Sequence, residues 1–397
     1  MSEYLYVDAD NHFYEAPDAF YRHGTERVRR FVQWHEQGKK RFLMFGGNYA
    51  PGNGNPTFNP VAKPGAFHET LIALARGEEP SGPRYGELAP LDRAFMYRDE
   101  RIECMDEQGL ERMFVYPTLG YSCEHLFVDD WDLLYEFFHG YNAWINEDWG
   151  FNYKDRIYAP PLIPMADVGR AVDELEWAIT EGARLITMTP GPWYGRSPAD
   201  SYFDRFWTRV NEEKLSVIFH AYGGVPAAYA DFFKREWARP PVSNMDHTQM
   251  LRAAILPYHR PVMDSMMAMT LGGLFNRYPE VKVCSIEVGA AWVGYCLHEL
   301  DHAGSNLVER RVTTFDGQLV GRPSDVFKKH CYVAPFPEED VEQLAELIGA
   351  DRVLFGSDWP HPEGAARPGD FRKFLAGMTE EEQRMVMRDN ALSLVQT

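Results

Sequence analysis

What the chain lacks narrows its function before any motif is considered. Its five cysteines (Cys104, Cys123, Cys284, Cys296 and Cys331) are odd in number and scattered, with no C-x-x-C pair. That argues against a disulfide framework and a thiolate zinc site, and it predicts a reducing, cytoplasmic setting. No segment approaches the roughly 18 uninterrupted apolar residues of a membrane span. The opening MSEYLYVDADNH has neither the basic region nor the apolar run of a signal peptide. Lysine and arginine form no dense run, and 40 of them against 59 Asp and Glu leave a formal net charge of -19. Such a field repels phosphate backbones and anionic lipid, so neither nucleic acid nor membrane is expected as a partner, and a small molecule is. Internal repeats and low-complexity segments are absent too, which leaves aside solenoids and linkers.

What is present suits one large domain spanning residues 1–397, with 45% hydrophobic and 14% aromatic composition. Short apolar, β-branched runs alternate with amphipathic stretches, the pattern of repeated βα units on a parallel sheet. Eight strands are predicted, at residues 4–8, 112–116, 157–163, 185–188, 215–219, 281–286, 331–334 and 353–355. Helices are predicted over residues 98–108, stopped by Gly109, and over 168–181. The class is α/β and the architecture a (β/α)8 TIM barrel. Two stretches exceed the bare repeat, residues 30–91 and 227–269. As insertions after strands one and five they belong on the face where barrel enzymes assemble their sites.

Chemistry-bearing residues gather at the predicted strand ends. Strand one runs into Asp8-Ala9-Asp10-Asn11-His12. Residues two apart in extended chain share a side, so Asp10 and His12 are expected to grip one ion, with Asp8 pointing the same way. His220 directly follows LSVIF, where a buried imidazole needs a partner such as a metal. The segment LFGSDWPH carries Asp358 at the end of an apolar strand, as metal ligand or base, and His361 three residues on as a proton acceptor. Glu287 follows VKVCSI in the same way and needs a cation or several donors, as a ligand, an acid/base or the partner of an arginine. Glu15 is a candidate ligand for a second metal, or a capping group. The expected metal set is Asp10, His12, Glu15, His220, Glu287 and Asp358, and the catalytic set is His361, Asp358 and Glu287. Such donors, without thiolates, suit zinc, manganese or iron, as one divalent ion per chain or two.

These segments resemble the amidohydrolase-related family, in the branch of metal-dependent barrel enzymes that includes amino-carboxymuconate semialdehyde decarboxylase and resorcylate decarboxylase. The likeness runs nearly end to end, through DADNH, RIECMDEQGLERMFVYPT, YNAWINEDW, FHAYG, FNRYPEVKVCSIEVGAAWVGY, LFGSDWPHPEG and MRDNALSLV. It implies a carboxylate-x-His pair at Asp10 and His12 and further ligands at His220 and Asp358. Glu287 departs from the histidine that many members carry there, and the carboxylate-rich result is similar to non-haem di-iron or manganese-iron monooxygenases on the same barrel. The resemblance implies a metal-dependent hydrolase or decarboxylase acting on a small carboxylate-bearing or aromatic metabolite. The alternatives are that monooxygenase and a catalytically inactive barrel subunit. A homo-oligomer, most simply a dimer, or a hetero-oligomer with a paralogue is also implied.

Overall fold

The computed structural model describes residues 4–38, 40–49, 59–79, 87–127, 129–221, 259–310 and 319–396. Parallel strands alternate with helices along the chain: β1 (Tyr6–Phe13), β2 (Leu110–Pro117), β3 (Ile157–Tyr158), β4 (Leu185–Thr187), β5 (Ser216–His220), β6 (Lys282–Ile286) and β7 (Cys331–Val333). They form two parallel sheets, ordered β1-β2-β3 and β7-β6-β5-β4. Strand β5 is buried throughout, as expected for a parallel strand covered on both faces.

The helices form where local chemistry favours them. Arg98–Gln108 carries Asp99 and Glu100 in its first turn and ends at Gly109, whose φ of 73° is the left-handed conformation a glycine cap supplies. Asp130, Asp167 and Asp340 cap Trp131–Asp148, Val168–Thr180 and Val341–Ile348 by accepting from the backbone N–H three residues on.

Three of the expected strands differ from the prediction. Strand one, expected at residues 4–8, extends as β1 to Phe13, because the polar stretch from Asp8 to His12 still pairs with β2. Strand three keeps only Ile157–Tyr158, since Pro160, Pro161 and Pro164 have no N–H to give a ladder. Residues 353–355 do not form a ladder strand. They are bridged instead on both sides, with Leu354 N donating to Val333 O at 2.9 Å and Ala9 N to Phe355 O at 2.9 Å. Isolated parallel bridges Leu162 to Thr187, Val333 to Val353 and Asn11 to Trp359 tie the margins of the two sheets together.

The first long stretch, residues 30–91, contributes an antiparallel sheet in which Lys40–Phe45 pairs with Val32–Gln37 on one side and Asn48–Tyr49 on the other, and a helix at His68–Ala75. Residues 227–258 of the second lie outside the described residues, and its end forms the helix His259–Leu271.

One cation holds the end of β1. Arg101 is fully buried, and its guanidinium donates to Ala94 O at 2.6 Å, to Asn11 Oδ1 at 2.6 Å and to His12 O at 2.7 Å. It also lies over the rings of Trp359 and Trp149, at 4.6 and 5.3 Å. Burial lowers its pKa to about 9, and these acceptors compensate for the lost hydration. Replacing Arg101 by Met strands three buried acceptors. It is expected to destabilise the chain by about 3–5 kcal/mol, read from the shift of the denaturation midpoint. A shift below about 1 kcal/mol would contradict this account.

Candidate metal centre

The site begins with an irregularity in β1. Between Asp8 and Asn11 the register with β2 slips, three residues advancing against two, which is the signature of a bulge. In a regular strand Asp8 and Asp10 would share a side, and the bulge separates them. Asp8 turns to the segment after residue 355. There it accepts from Ser357 Oγ at 2.5 Å, Ser357 N at 3.0 Å, Asn11 Nδ2 at 2.8 Å and Asp10 N at 3.1 Å. The expectation that Asp8 points with Asp10 is therefore corrected, and Asp8 acts as a pin between the two ends of the chain.

Asp10 instead faces His220 and His12, its Oδ1 lying 3.3 Å from His220 Nε2 and 3.5 Å from His12 Nε2. The same His12 nitrogen lies 3.5 Å from Glu287 Oε2 and 3.4 Å from Asp358 Oδ1. Glu287 Oε2 is also 3.4 Å from His220 Nδ1, and His361 Nδ1 is 2.7 Å from Asp358 Oδ1. Two overlapping groups have ligand atoms that all lie within 4.8 Å of one another: Asp10, His12, His220 and Glu287, and His12, Glu287, Asp358 and His361. Glu15 is not in either group. Its Oε1 accepts from Leu119 N at 2.7 Å, Gly120 N at 2.8 Å and Tyr141 Oη at 3.0 Å, so it braces the turn after β2.

Backbone strain accompanies the carboxylates. Glu287 and Asp358 adopt φ of 58° and 55°, left-handed values that residues with a side chain seldom take. Gly356 meets Asp10 closely: a Cβ there would fall 2.6 Å from Asp10 Cβ, so only glycine lets the two segments approach. Aromatic rings form the wall behind the candidate ligands. Tyr121 stacks on His220 at 4.9 Å, Tyr116 tilts against it at 4.4 Å, and His361 stacks on His12 at 4.0 Å.

The electrostatics describe a site short of positive charge. Burial and the fields of Glu287, Asp10, Glu363 and Asp8 hold the Asp358 carboxyl well above the usual range. Burial pushes Glu287 to about 7 and Asp8 to about 7. Burial alone would raise Asp10 as well, but the adjacent His12 and His220 rings outweigh it and hold Asp10 below the carboxylate range. Burial, with the neighbouring His361, lowers His12 to about 4, so its ring is neutral and able to donate a lone pair. His12 is 2% exposed, and neither ring nitrogen has a hydrogen-bond partner. Unpartnered buried imidazole nitrogens facing crowded carboxylates fit a divalent cation, which would satisfy both at once.

Comparison with known proteins bears on this arrangement directly. The family model described as amidohydrolase matches residues 7–396. The chain belongs to the amidohydrolase family. A solved amidohydrolase of Mycobacterium avium subsp. paratuberculosis K-10 is 33% identical, with a TM-score of 0.88 and coverage of 100% of both chains. The gamma-resorcylate decarboxylase of Polaromonas sp. (strain JS666 / ATCC BAA-500) is 22% identical over 272 residues, covering 66% of this chain and 77% of that protein. A dihydroxybenzoic acid decarboxylase of Polaromonas sp. JS666, solved with manganese and the inhibitor 2-nitroresorcinol, shares the fold at TM-score 0.60 and 16% identity, covering 99% of this chain and 97% of that one. These relatives are an amidohydrolase and decarboxylases, and they lend the monooxygenase alternative no support. No described helix is long and apolar enough to cross a membrane.

Residues that sequence reasoning missed here are Ser357, Gly356, Thr118 and Tyr121, which act through position rather than through a ligand-type side chain. The raised Glu287 carboxyl gives a pH test. Its folded pKa of about 7 exceeds the ordinary 4.5, so the folded chain holds a proton that the unfolded chain has lost. Stability of the metal-free chain should therefore fall as pH rises from about 4.5 to 7 and level above that. Glu287→Gln should flatten this fall in thermal unfolding with a chelator present. An unchanged pH slope would show that Glu287 is not the group responsible.

Proposed function

We propose that the chain is a metal-dependent decarboxylase of a small aromatic acid carrying a hydroxyl beside its carboxyl, built on a closed (β/α)8 barrel. The single observation that carries this reading is the convergence of Asp10, His12, His220 and Glu287 around buried, unpartnered imidazole nitrogens, beside a second, separately paired Asp358 and His361. Bridges from residues 353–359 to β7 and β1, and from Leu162 to β4, support ring closure. The decarboxylase relatives, and the manganese in one of them, favour this chemistry over hydrolysis.

Asp10, His12, His220 and Glu287 would hold one divalent cation, with manganese, zinc and iron all suited to the donor set. When bound, the cation supplies electrophilic stabilisation for the carboxylate and neighbouring oxyanion of a chelating substrate. The chain's own residues do the rest. Tyr121 and Tyr116 fix His220 from behind by ring contact, and Tyr116 Oη is anchored on Ala9 O at 3.0 Å. Asp358 holds a proton against His361 Nδ1 and delivers it to the ring carbon that bears the carboxyl group. That carbon gains a C–H bond, its bond to the carboxyl carbon breaks, and carbon dioxide leaves.

The test is carbon dioxide release from hydroxybenzoates, beginning with 2,6-dihydroxybenzoate, by chain stripped of metal and reloaded with manganese. Release that stops with chelator, and a His220→Ala variant that loses bound manganese by elemental mass spectrometry, are expected. Asp358→Asn is expected to keep manganese while losing about 10²-fold or more in rate. A chain that binds no divalent metal under any loading condition would overturn the reading.

A further inference from the structure

Glu287 and Asp358 share a left-handed backbone but are steadied differently. Asp358 Oδ1 has His361 Nδ1 at 2.7 Å, and the Nε2 of that ring lies 3.1 Å from Thr118 Oγ1. Among the described residues Glu287 Oε2 meets longer contacts, His220 Nδ1 at 3.4 Å and His12 Nε2 at 3.5 Å. Its direction is therefore set by its backbone. A left-handed backbone at a residue with a side chain persists only where the surrounding chain over-determines it.

The chain is anchored on both sides of Glu287. Upstream, Ile286 ends β6, and its O accepts from Ala221 N at 2.9 Å. Downstream, Ala290 and Ala291 lie just ahead of the helix Val293–Arg310, and one side chain from the loop after β7 catches them both. Glu339 Oε1 accepts from Ala290 N at 2.9 Å and from Ala291 N at 2.8 Å. Its Oε2 accepts from Ala290 N and from Phe336 N, each at 2.8 Å. A carboxylate suits this place, because successive N–H groups ahead of a helix converge on an anion. The two loops also pack closely: Gly289 has φ of 69°, and a Cβ there would fall 2.8 Å from the Phe336 ring and 3.0 Å from Glu339 Oε1. Trp292 Nε1 closes the turn by donating to Gly289 O at 2.9 Å. Glu339 N donates to Phe336 O at 3.1 Å, which fixes the clamp to its own loop.

We propose that Glu339 is a positioning residue, whose carboxylate fixes the turn at residues 288–291 and so holds the Glu287 carboxylate toward His12 and His220. This rests on the reading of Glu287 as a metal ligand in the preceding section. Glu339 belongs to neither ligand group and acts on the metal only through the backbone of Glu287. Asp340, the next residue, caps a different helix by accepting from Gln343 N at 2.9 Å, so it separates this role from general support of the loop.

The experiment titrates manganese into metal-free, full-length chain and reads the bound ion by electron paramagnetic resonance. Glu339→Ala is expected to weaken manganese binding by about 10-fold or more, as loss of a partner that orients a ligand does. Glu339→Gln keeps one acceptor oxygen and should recover part of that loss, while Asp340→Ala should stay within about twofold of wild type. In chain already carrying Glu287→Ala, the further change Glu339→Ala should cost less than about twofold, because the group it positions is gone. An equal loss in both backgrounds, or an equal loss in Asp340→Ala, overturns the inference. Should Glu339→Ala fail to fold, Glu339→Gln takes its place in the same cycle. Crystal structures of metal-free wild type and Glu339→Gln give a reading that needs no metal. Glu287 is expected to leave the left-handed region or to turn its carboxylate from His12 and His220 in the variant, and an unmoved Glu287 overturns the inference. A chain that binds no manganese would count against the proposed function, and these two structures would still decide the role of Glu339.

Discussion

Asp10, Glu287 and Asp358 all lie about one imidazole's reach from His12 Nε2, at a depth where water does little to screen them from one another. Left alone, three ionised carboxylates would drive these segments apart, and much of the surrounding fold acts to prevent that. Arg101 spends its charge on the backbone of β1 rather than on the acids. Asp8 and Ser357 hold β1 to the last described bridge segment. The left-handed backbone at Glu287 and Asp358 is tolerated because the neighbouring chain leaves these residues no easier conformation. Protons on the carboxyl groups relieve the repulsion in part, and a divalent cation would relieve it further.

Much of this was legible in the residues themselves. Strands β2, β4, β5, β6 and β7 lie where apolar, β-branched runs placed them, because strands covered on both faces must be continuously apolar. Asp10, His12, His220, Glu287 and Asp358 stood out for a related reason: a polar group immediately after such a run has to be accounted for. What was hidden depends on register and contact. Nothing in DADNH announces a bulge, so Asp8 and Asp10 looked equivalent, and nothing local shows that Glu15 Oε1 is engaged by two backbone N–H groups and Tyr141. Arg101 lies in a helix full of charged residues, where its burial under two tryptophans leaves no local trace. Thr118 and Gly356 act by what touches them, and only the folded chain supplies that.

The candidate site residues also differ in how they are supported. His220 belongs to a strand with ladders on both sides and two tyrosine rings behind it. Asp358 and His361 sit on a segment without a ladder, held by single contacts to β1, by Thr118 and by the ring of His12. In the proposed reading, the stiff half would keep coordination geometry, and the half held by separate hydrogen bonds would exchange a proton.

The pin between Asp8 and Ser357 joins positions 349 residues apart. Ser357 N donates to Asp8 and Asp358 N to Asp10 O, so the order of the last segment is borrowed from the first strand. During synthesis, Asp10 and His12 emerge early and must wait for almost the entire chain before the residues opposite them exist. A partly made chain thus presents an incomplete set of donors, and the full set appears only when both ends have met. Assembly of the centre in this way requires that the first strand and the segment 349 residues further on have both been made and have folded together.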